Sequence, residues 1–388
     1  MSPRSLIATF LLAGSLTASA TAFRYAEDQA PAIVNPVFTT TMSEARLNEL
    51  LFERLFTDNQ DLATQPQLAE RFEVDADRKG MTIWLRQDVQ WHDGTALTAR
   101  DVVFTIEAMQ DRGTLSTEAG KVSWIRRALA VSDYEVELTF EKPEGRPQDK
   151  LFFKILPSHM FDETTLKRSD PFRNRPVGSG PYRLTRFNDD NSISLERYRG
   201  YRGQVGMDEI VMREVSDKNY QARLLTYESL EALVRVLPRD LAVLQNNRMV
   251  ELYPYQTNSW WYLGFNHAQP PFDNVDIRRA LAGLIDVETL LAPVGTGEVL
   301  SGPFVKSSPF YNHEVAPHGH TPMDSEALLT AAGYEYDGLS WTLDGKPLSV
   351  TITAHKSLEA SQEVVINLQS QLQRQGIEVD VDFLDDVS

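Results

Sequence analysis

Residues 91–108 read Trp91-His92-Asp93-Gly94-Thr95-Ala96-Leu97-Thr98-Ala99-Arg100-Asp101-Val102-Val103-Phe104-Thr105-Ile106-Glu107-Ala108, and the rest of the chain can be placed around them. Just upstream, Met81-Thr82-Ile83-Trp84-Leu85-Arg86 puts Met81, Ile83 and Leu85 on one face, the pattern of a strand. His92-Asp93-Gly94-Thr95 carries turn chemistry, with Gly94 free to take a positive φ. Thr98 heads a helix, and Asp101 can reach back to its N–H, a capping box built with Asp. Val102, Val103, Ile106 and Met109 then share one helical face. Physics alone gives a strand–turn–helix joint.

Working outward, residues 35–56 read as a loop followed by a helix capped near Ser43, with Leu47, Leu50, Leu51 and Leu55 on one face. Pro66-Gln67-Leu68-Ala69-Glu70-Arg71-Phe72 reads as a short surface helix leading into a hairpin strand. On the other side, Tyr134 to Phe140 alternates cleanly and predicts a strand with one buried face. Ile155-Leu156-Pro157-Ser158-His159-Met160 follows. His159 there invites a catalytic role, against the alternative of a surface-loop histidine. Pro176-Val177-Gly178-Ser179-Gly180-Pro181-Tyr182 predicts tight turns entering a strand from Tyr182 to Phe187. It is not a nucleophile elbow, because Val177 stands where the first Gly would be, and it is not a phosphate loop, because no Lys follows. Asp189-Asp190-Asn191 turns the chain into a second strand, Ile193 to Tyr198.

The later half opens on its most aromatic stretch, Asn258-Ser259-Trp260-Trp261-Tyr262-Leu263-Gly264-Phe265-Asn266. In a strand, Trp261 would face opposite to Trp260 and Tyr262, and core packing is the alternative for each. Pro270-Pro271-Phe272-Asp273 leads into a helix with Ile277, Ala280, Leu281 and Leu284 on its buried face. His313, His318 and His320 lie near Glu314, but Pro317 and Gly319 make this a loop, and the spacing matches no metal motif. Leu348 to Ala354 alternates as a strand, His355-Lys356-Ser357 is a loop, and Glu359 to Gln375 is a helix ended by Gly376. Its inward residues are Val364, Val365, Leu368 and Leu372. Ile377 to Phe383 is the next strand, so this is a βαβ unit with parallel strands. Ligands in such sheets gather at the C-terminal strand ends, where His355 and Lys356 lie. A solvated loop is the alternative.

Composition narrows the class. The chain has 388 residues, 42% hydrophobic and 24% charged, enough for two or three core-bearing units. A formal charge of −17 argues against nucleic acid, which needs clustered Lys and Arg. Met1 to about Ala22 has a basic start at Arg4, a short apolar core from Leu6 to Gly14, and small-x-small sites at Ala18-Ser19-Ala20 and Ala20-Thr21-Ala22. This is the pattern of a cleaved secretory signal peptide. There is no cysteine, hence no disulfide and no lipid-anchoring cysteine. Export without an anchor leads to the expectation of a free periplasmic protein.

Together these runs resemble the bacterial extracellular solute-binding proteins of family 5, the peptide-, opine- and nickel-binding class that feeds ATP-binding-cassette (ABC) importers. The family's aromatic-His-Asp-Gly-x-x-Leu-Thr-Ala-x-Asp-Val-Val-Phe run matches at nearly every position from Trp91 to Phe104. Its Asn-Pro segment and helix ending in Glu-x-Leu are similar to Asn35-Pro36 and Glu53-Arg54-Leu55. Its Pro-x-Leu-Ala-Glu resembles Pro66 to Glu70, its Ile-Leu-Pro-x-His resembles Ile155 to His159, and its Pro-Val-Gly-x-Gly-Pro-Tyr resembles Pro176 to Tyr182. A strand ending in Phe-Asn, then Pro-Phe-Asp and an Arg-x-Ala-Leu helix, is similar to the run from Phe265 to Leu281. The family's Gly-x-x-Asp has no counterpart in Tyr227 to Ala232.

The resemblance implies a two-lobed α/β fold of the periplasmic binding protein type II class with an inserted subdomain. Lobe I would join residues 23–55 with 171–258, around a subdomain at 56–170. Lobe II would begin at 259 and be incomplete at 388, because family members normally continue further. The acidic residue that grips a peptide's amino group usually lies in that further part. The implied function is hinge closure on a short peptide or similar zwitterionic solute, followed by docking on an ABC permease. A monomer with no cofactor and no metal is expected. In the family the aromatics of the crossing strand border the ligand cleft, here Trp260, Trp261 and Tyr262. A basic residue near His355 or Lys356 would hold the ligand carboxylate. The other classes to weigh are a secreted hydrolase and a truncated, non-transporting relic of the family.

Overall fold

The first helix starts where two side chains exchange bonds. The Glu44 N–H donates to Thr41 Oγ1 at 3.2 Å, and the Thr41 N–H donates to Glu44 Oε2 at 3.2 Å. The cap is therefore Thr41, slightly ahead of the expected Ser43. The computed structural model describes residues 22–59, 63–227, 230–254, 259–294, 297–355 and 359–384. Strand β1 (Phe23–Glu27) precedes this helix, α1 (Met42–Leu51). Most of the expected signal peptide lies outside the described residues, as do Glu228, Ser229, Asn258, Lys356 and Ser357.

Leu47, Leu51 and Leu55 are all buried, but α1 ends at Leu51, so Glu53-Arg54-Leu55 does not close the helix. Strand-like bonds take over the backbone there: Ile155 N–H donates to Glu53 O at 3.0 Å and Gln67 N–H to Leu55 O at 2.9 Å. Strands β2 (Phe56–Asp58) and β3 (Thr64–Pro66) form an antiparallel pair.

A second correction follows directly. Residues 66–72 hold no helix; β4 (Ala69–Val74) pairs antiparallel with β5 (Gly80–Leu85). Leu-Ala-Glu favours a helix locally, but an available ladder partner overrides such a weak preference.

After β5 come α2 (Ala99–Gln110), β6 (Ile125–Ser132) and β7 (Glu135–Phe140). The sheet order is β4-β5-β7-β6. Met81, Ile83 and Leu85 all face inward, as the alternation requires. Strands β8 (Tyr182–Phe187), β9 (Ile193–Arg197) and β10 (Glu209–Glu214), helix α3 (Lys218–Thr226) and β11 (Ala232–Leu233) follow. They build a five-stranded sheet ordered β11-β1-β10-β9-β8. Its β1 strand runs parallel to both neighbours, whereas β8, β9 and β10 are antiparallel. One continuous core joins both sheets, α1 and α2.

The chain divides between Val234 and Arg235 into two compact units. By contacts, residues 235–254 go with the second. That unit contains α4 (Pro238–Gln245), α5 (Val275–Gly283), α6 (Pro322–Ala331) and the short strands β12 (Glu335–Tyr336), β13 (Trp341–Leu343) and β14 (Lys346–Pro347). It ends with β15 (Ser349–His355), α7 (Glu359–Arg374) and β16 (Glu378–Leu384). The last two strands pair in parallel, Ser349 opposite Glu378, as the βαβ reading requires. Gly376 ends the helix with φ +79. Ile277, Ala280, Leu281 and Leu284 are buried with Val365, Leu368 and Leu372 in a separate core.

The strand expected at Trp260 to Asn266 is not formed: residues 259–266 carry no secondary structure. A strand exists only where its N–H and C=O groups find a ladder partner, and none of the described strands pairs with this segment. Among the described residues no helix is long and apolar enough to cross a membrane.

Candidate ligand-binding site

The signature turn and the Gly-rich segment meet. Gly94 takes φ +89, which lets the turn close from Trp91 O to the Gly94 N–H at 2.8 Å. His92 then grips residues 178–180 three times. Its backbone N–H donates to Gly178 O at 2.7 Å. The Gly178 N–H donates to His92 Nδ1 at 3.1 Å. Because Nδ1 accepts, it carries no proton, so Nε2 holds the hydrogen and donates to Gly180 O at 3.0 Å. Burial pushes the imidazole down to about 4, consistent with this neutral tautomer.

The glycines are needed for space and not for turning. Neither Gly178 nor Gly180 has a positive φ. A Cβ on Gly178 would stand 1.8 Å from the carbonyl oxygen of Leu51, and one on Gly180 would stand 2.5 Å from that of Leu50. The Gly180 N–H donates to Leu51 O at 2.9 Å, so this segment satisfies an orphan carbonyl at the end of α1. The expectation of tight turns is corrected accordingly.

Asp101 is the second organising residue, and it is buried. Its Oδ2 accepts the Thr98 N–H at 2.8 Å, the cap foreseen in the sequence, and the Trp91 indole N–H at 3.3 Å. Its Oδ1 accepts the Ser158 N–H at 2.8 Å and the Ser158 hydroxyl at 2.7 Å. The Ser158 proton therefore goes to a buried carboxylate. His159 instead meets Asp93 Oδ2 through Nε2 at 2.7 Å, in a half-exposed pair. Ser158, His159 and Asp93 thus form no nucleophile–base relay, which removes the sequence ground for a catalytic His159. The joint positions the chain.

Sequence reasoning missed Glu53. This carboxylate is fully buried and takes a bidentate pair from Arg202, Nη1 to Oε2 at 3.0 Å and Nη2 to Oε1 at 2.6 Å. The available signal was a charge inside the apolar run Leu50-Leu51-Phe52-Glu53-Arg54-Leu55-Phe56, which a fold tolerates only when the charge is paired. Lys154, also buried, donates to Glu49 at 2.6 Å; burial pushes its ammonium down to about 8.

The residues expected to touch ligand lie in the second unit. Trp260, Trp261 and Tyr262 are 43%, 48% and 82% exposed. None of the three belongs to a hydrophobic core among the described residues, and no strand forms here. His355 is the last residue of β15, opposite Leu384 of β16, at the C-terminal end of the parallel pair. Lys356, the other basic candidate, lies outside the described residues. His313 stacks edge-on against Tyr311 at 4.8 Å. Among the described residues no group of three His, Asp or Glu side chains could hold a metal.

A model for "Bacterial extracellular solute-binding proteins, family 5 Middle" matches residues 63–387. The oligopeptide-binding protein AppA of Bacillus subtilis (strain 168) is 23% identical over 364 residues, covering 90% of this chain and 66% of that protein. The glutathione-binding protein GsiB of Escherichia coli O1:K1 / APEC is 25% identical, covering 96% of this chain and 72% of that protein. The chain thus spans about two thirds of the length of such relatives. Two solved structures share the fold. AppA from Bacillus subtilis in complex with a nonapeptide has a TM-score of 0.76 at 22% identity, covering 94% of this chain and 75% of that one. NikA from Brucella suis in complex with Fe(III)-EDTA has a TM-score of 0.81 at 20% identity, with the same coverage.

Proposed function

The chain belongs to the bacterial extracellular solute-binding proteins, family 5, and we propose that it binds short peptides or a similar zwitterionic solute for an ABC importer. The observation that carries this reading is the exposed, unpaired aromatic segment Trp260-Trp261-Tyr262. Three large aromatics held in solvent cost hydrophobic free energy that a bound ligand would return. Flat aromatic faces also give contact area that tolerates varied side chains, as a peptide receptor needs. The names of AppA and GsiB, an oligopeptide- and a glutathione-binding protein, support the same class.

In this proposal the ligand's apolar part lies against Trp260, Trp261 or Tyr262, and its carboxylate lies near His355 or Lys356, beside the α7 N-terminus. A basic side chain beside a helix N-terminus favours an anion. The two lobes, with the boundaries inferred from sequence, close on ligand by a hinge and dock on a permease. The leader is removed on export, leaving a monomer free in the periplasm.

Calorimetry of the purified chain against di- to pentapeptides, glutathione and a nickel–histidine complex tests the assignment. Saturable heat with peptides or glutathione is the expected result. Binding of the nickel complex alone would overturn it.

A further inference from the structure

We propose that the His92 clasp is an acid-opened latch: a proton taken up at Nδ1 frees the 176–181 segment from the signature turn while the core on either side stays folded. The geometry requires a choice. Nδ1 can accept the Gly178 N–H at 3.1 Å only while it is bare. Once protonated, it sets a donor against a donor, and the ring must swing out, losing the Gly180 carbonyl as well. One bond between the two segments then remains, from the His92 backbone N–H to Gly178 O.

Every charged neighbour of the ring is accounted for. Asp93, on the same turn, is occupied by the Thr95 N–H and by His159. Arg183, on β8, opposes a positive charge at His92 and is itself engaged by Glu196. The Tyr198 ring lies edge-on at 4.9 Å, with its hydroxyl donating to Trp91 O at 2.8 Å. On the far side of the Gly segment stand the α1 carbonyls of Leu50 and Leu51. Burial, helped by Arg183, outweighs the Gly180 carbonyl and Asp93, which favour the protonated ring, so the latch stays shut at neutral pH and opens as pH falls toward about 4. Opening is local because the apolar side chains packed beneath, among them Leu51, Met81 and Ile106, do not titrate, and buried carboxylates of the same unit such as Asp101 and Glu53 are held by partners of their own, Ser158 and Arg202.

Hydrogen exchange of the full chain, corrected for intrinsic rate, reads this out. From about pH 7 to about pH 4, amides of 176–181 should lose roughly tenfold or more of their protection while β5 keeps its own. His92→Gln, whose amide offers an acceptor and a donor without titrating, should hold that segment's protection constant. Simultaneous loss in 176–181 and β5, or an unchanged pH response in His92→Gln, would overturn the proposal. If that variant does not fold, nitrogen-15 NMR of the parent decides. A neutral Nε2–H tautomer that titrates together with Gly178 exchange supports the latch, and an Nδ1–H tautomer at neutral pH contradicts it.

Discussion

Two motif-bearing regions of this chain behave oppositely. At residues 91–101 the side chains of His92, Asp93 and Asp101 are bonded within the unit, onto Gly178, Gly180, His159 and Thr98. At residues 259–266 Phe265 packs against Phe272, but the run has no ladder partner among the described residues, and Trp260, Trp261 and Tyr262 stay exposed. Both carry runs that resemble the family. The difference teaches that a dense polar motif can be spent entirely on holding backbone together. A motif whose side chains remain exposed is the better candidate for contact with something else.

The largest expected effect breaks the first region. Gly178→Val places a branched side chain against the Leu51 carbonyl, where even a Cβ has 1.8 Å. Because backbone and not a flexible side chain must yield, the loss should exceed about 4 kcal/mol, and the variant should fail to give a cooperative urea melt. Gly302→Ala in the second unit, with nothing within 4 Å, is the control and should melt within about 0.5 kcal/mol of the parent.

Next is Arg202→Met, which leaves the buried Glu53 carboxylate unpaired. Denaturant melts should show a loss of about 3–5 kcal/mol. Adding Glu53→Leu should recover part of it, because the uncompensated charge and not the missing contact carries most of the cost. No recovery in the double variant would mean that the arginine matters by packing.

A smaller effect comes with pH. His92 is held near about 4 in the fold, against 6.5 for an ordinary histidine. The unfolded chain therefore binds the proton first, and stability is fully present above about pH 6.5 and falls as pH drops toward 4. The loss should be about 3 kcal/mol at pH 4, at about 1.4 kcal/mol per pKa unit. Chemical denaturation at several pH values checks this, with His92→Gln expected to remove that part of the slope.

The smallest effect on stability belongs to the second region. Trp260→Ala and Trp261→Ala should each change the melt by less than about 0.5 kcal/mol, as for surface substitutions. A loss of several kcal/mol would show that these rings pack in a way their exposure does not suggest.

How far the sequence reached follows the same division. The strand at Met81 to Leu85, the Thr98–Asp101 cap and the βαβ unit from Ser349 to Leu384 were legible because each is encoded within a few turns of chain. The error at Pro66 to Phe72 arose where a long-range ladder outweighed local helix preference. The glycine segment was read as a turn because nothing in it announces the α1 carbonyls, more than 120 residues earlier, that lie against it. Asp101 was seen as a cap, but its bonds to Trp91 and Ser158 depend on tertiary approach and left no local trace. For the candidate site, residue types were legible and exposure was not. Alternation in a strand set Trp261 opposite Trp260 and Tyr262, and no strand forms there.

The central claim is that the signature joint holds the fold while the aromatic segment meets the ligand. The most direct measurement is paired calorimetry and melting of Trp260→Ala/Trp261→Ala against the parent, using whichever peptide binds the parent. Affinity should fall by roughly tenfold or more, about 1.4 kcal/mol, with the melt unchanged. Undiminished affinity in a folded variant would contradict the claim.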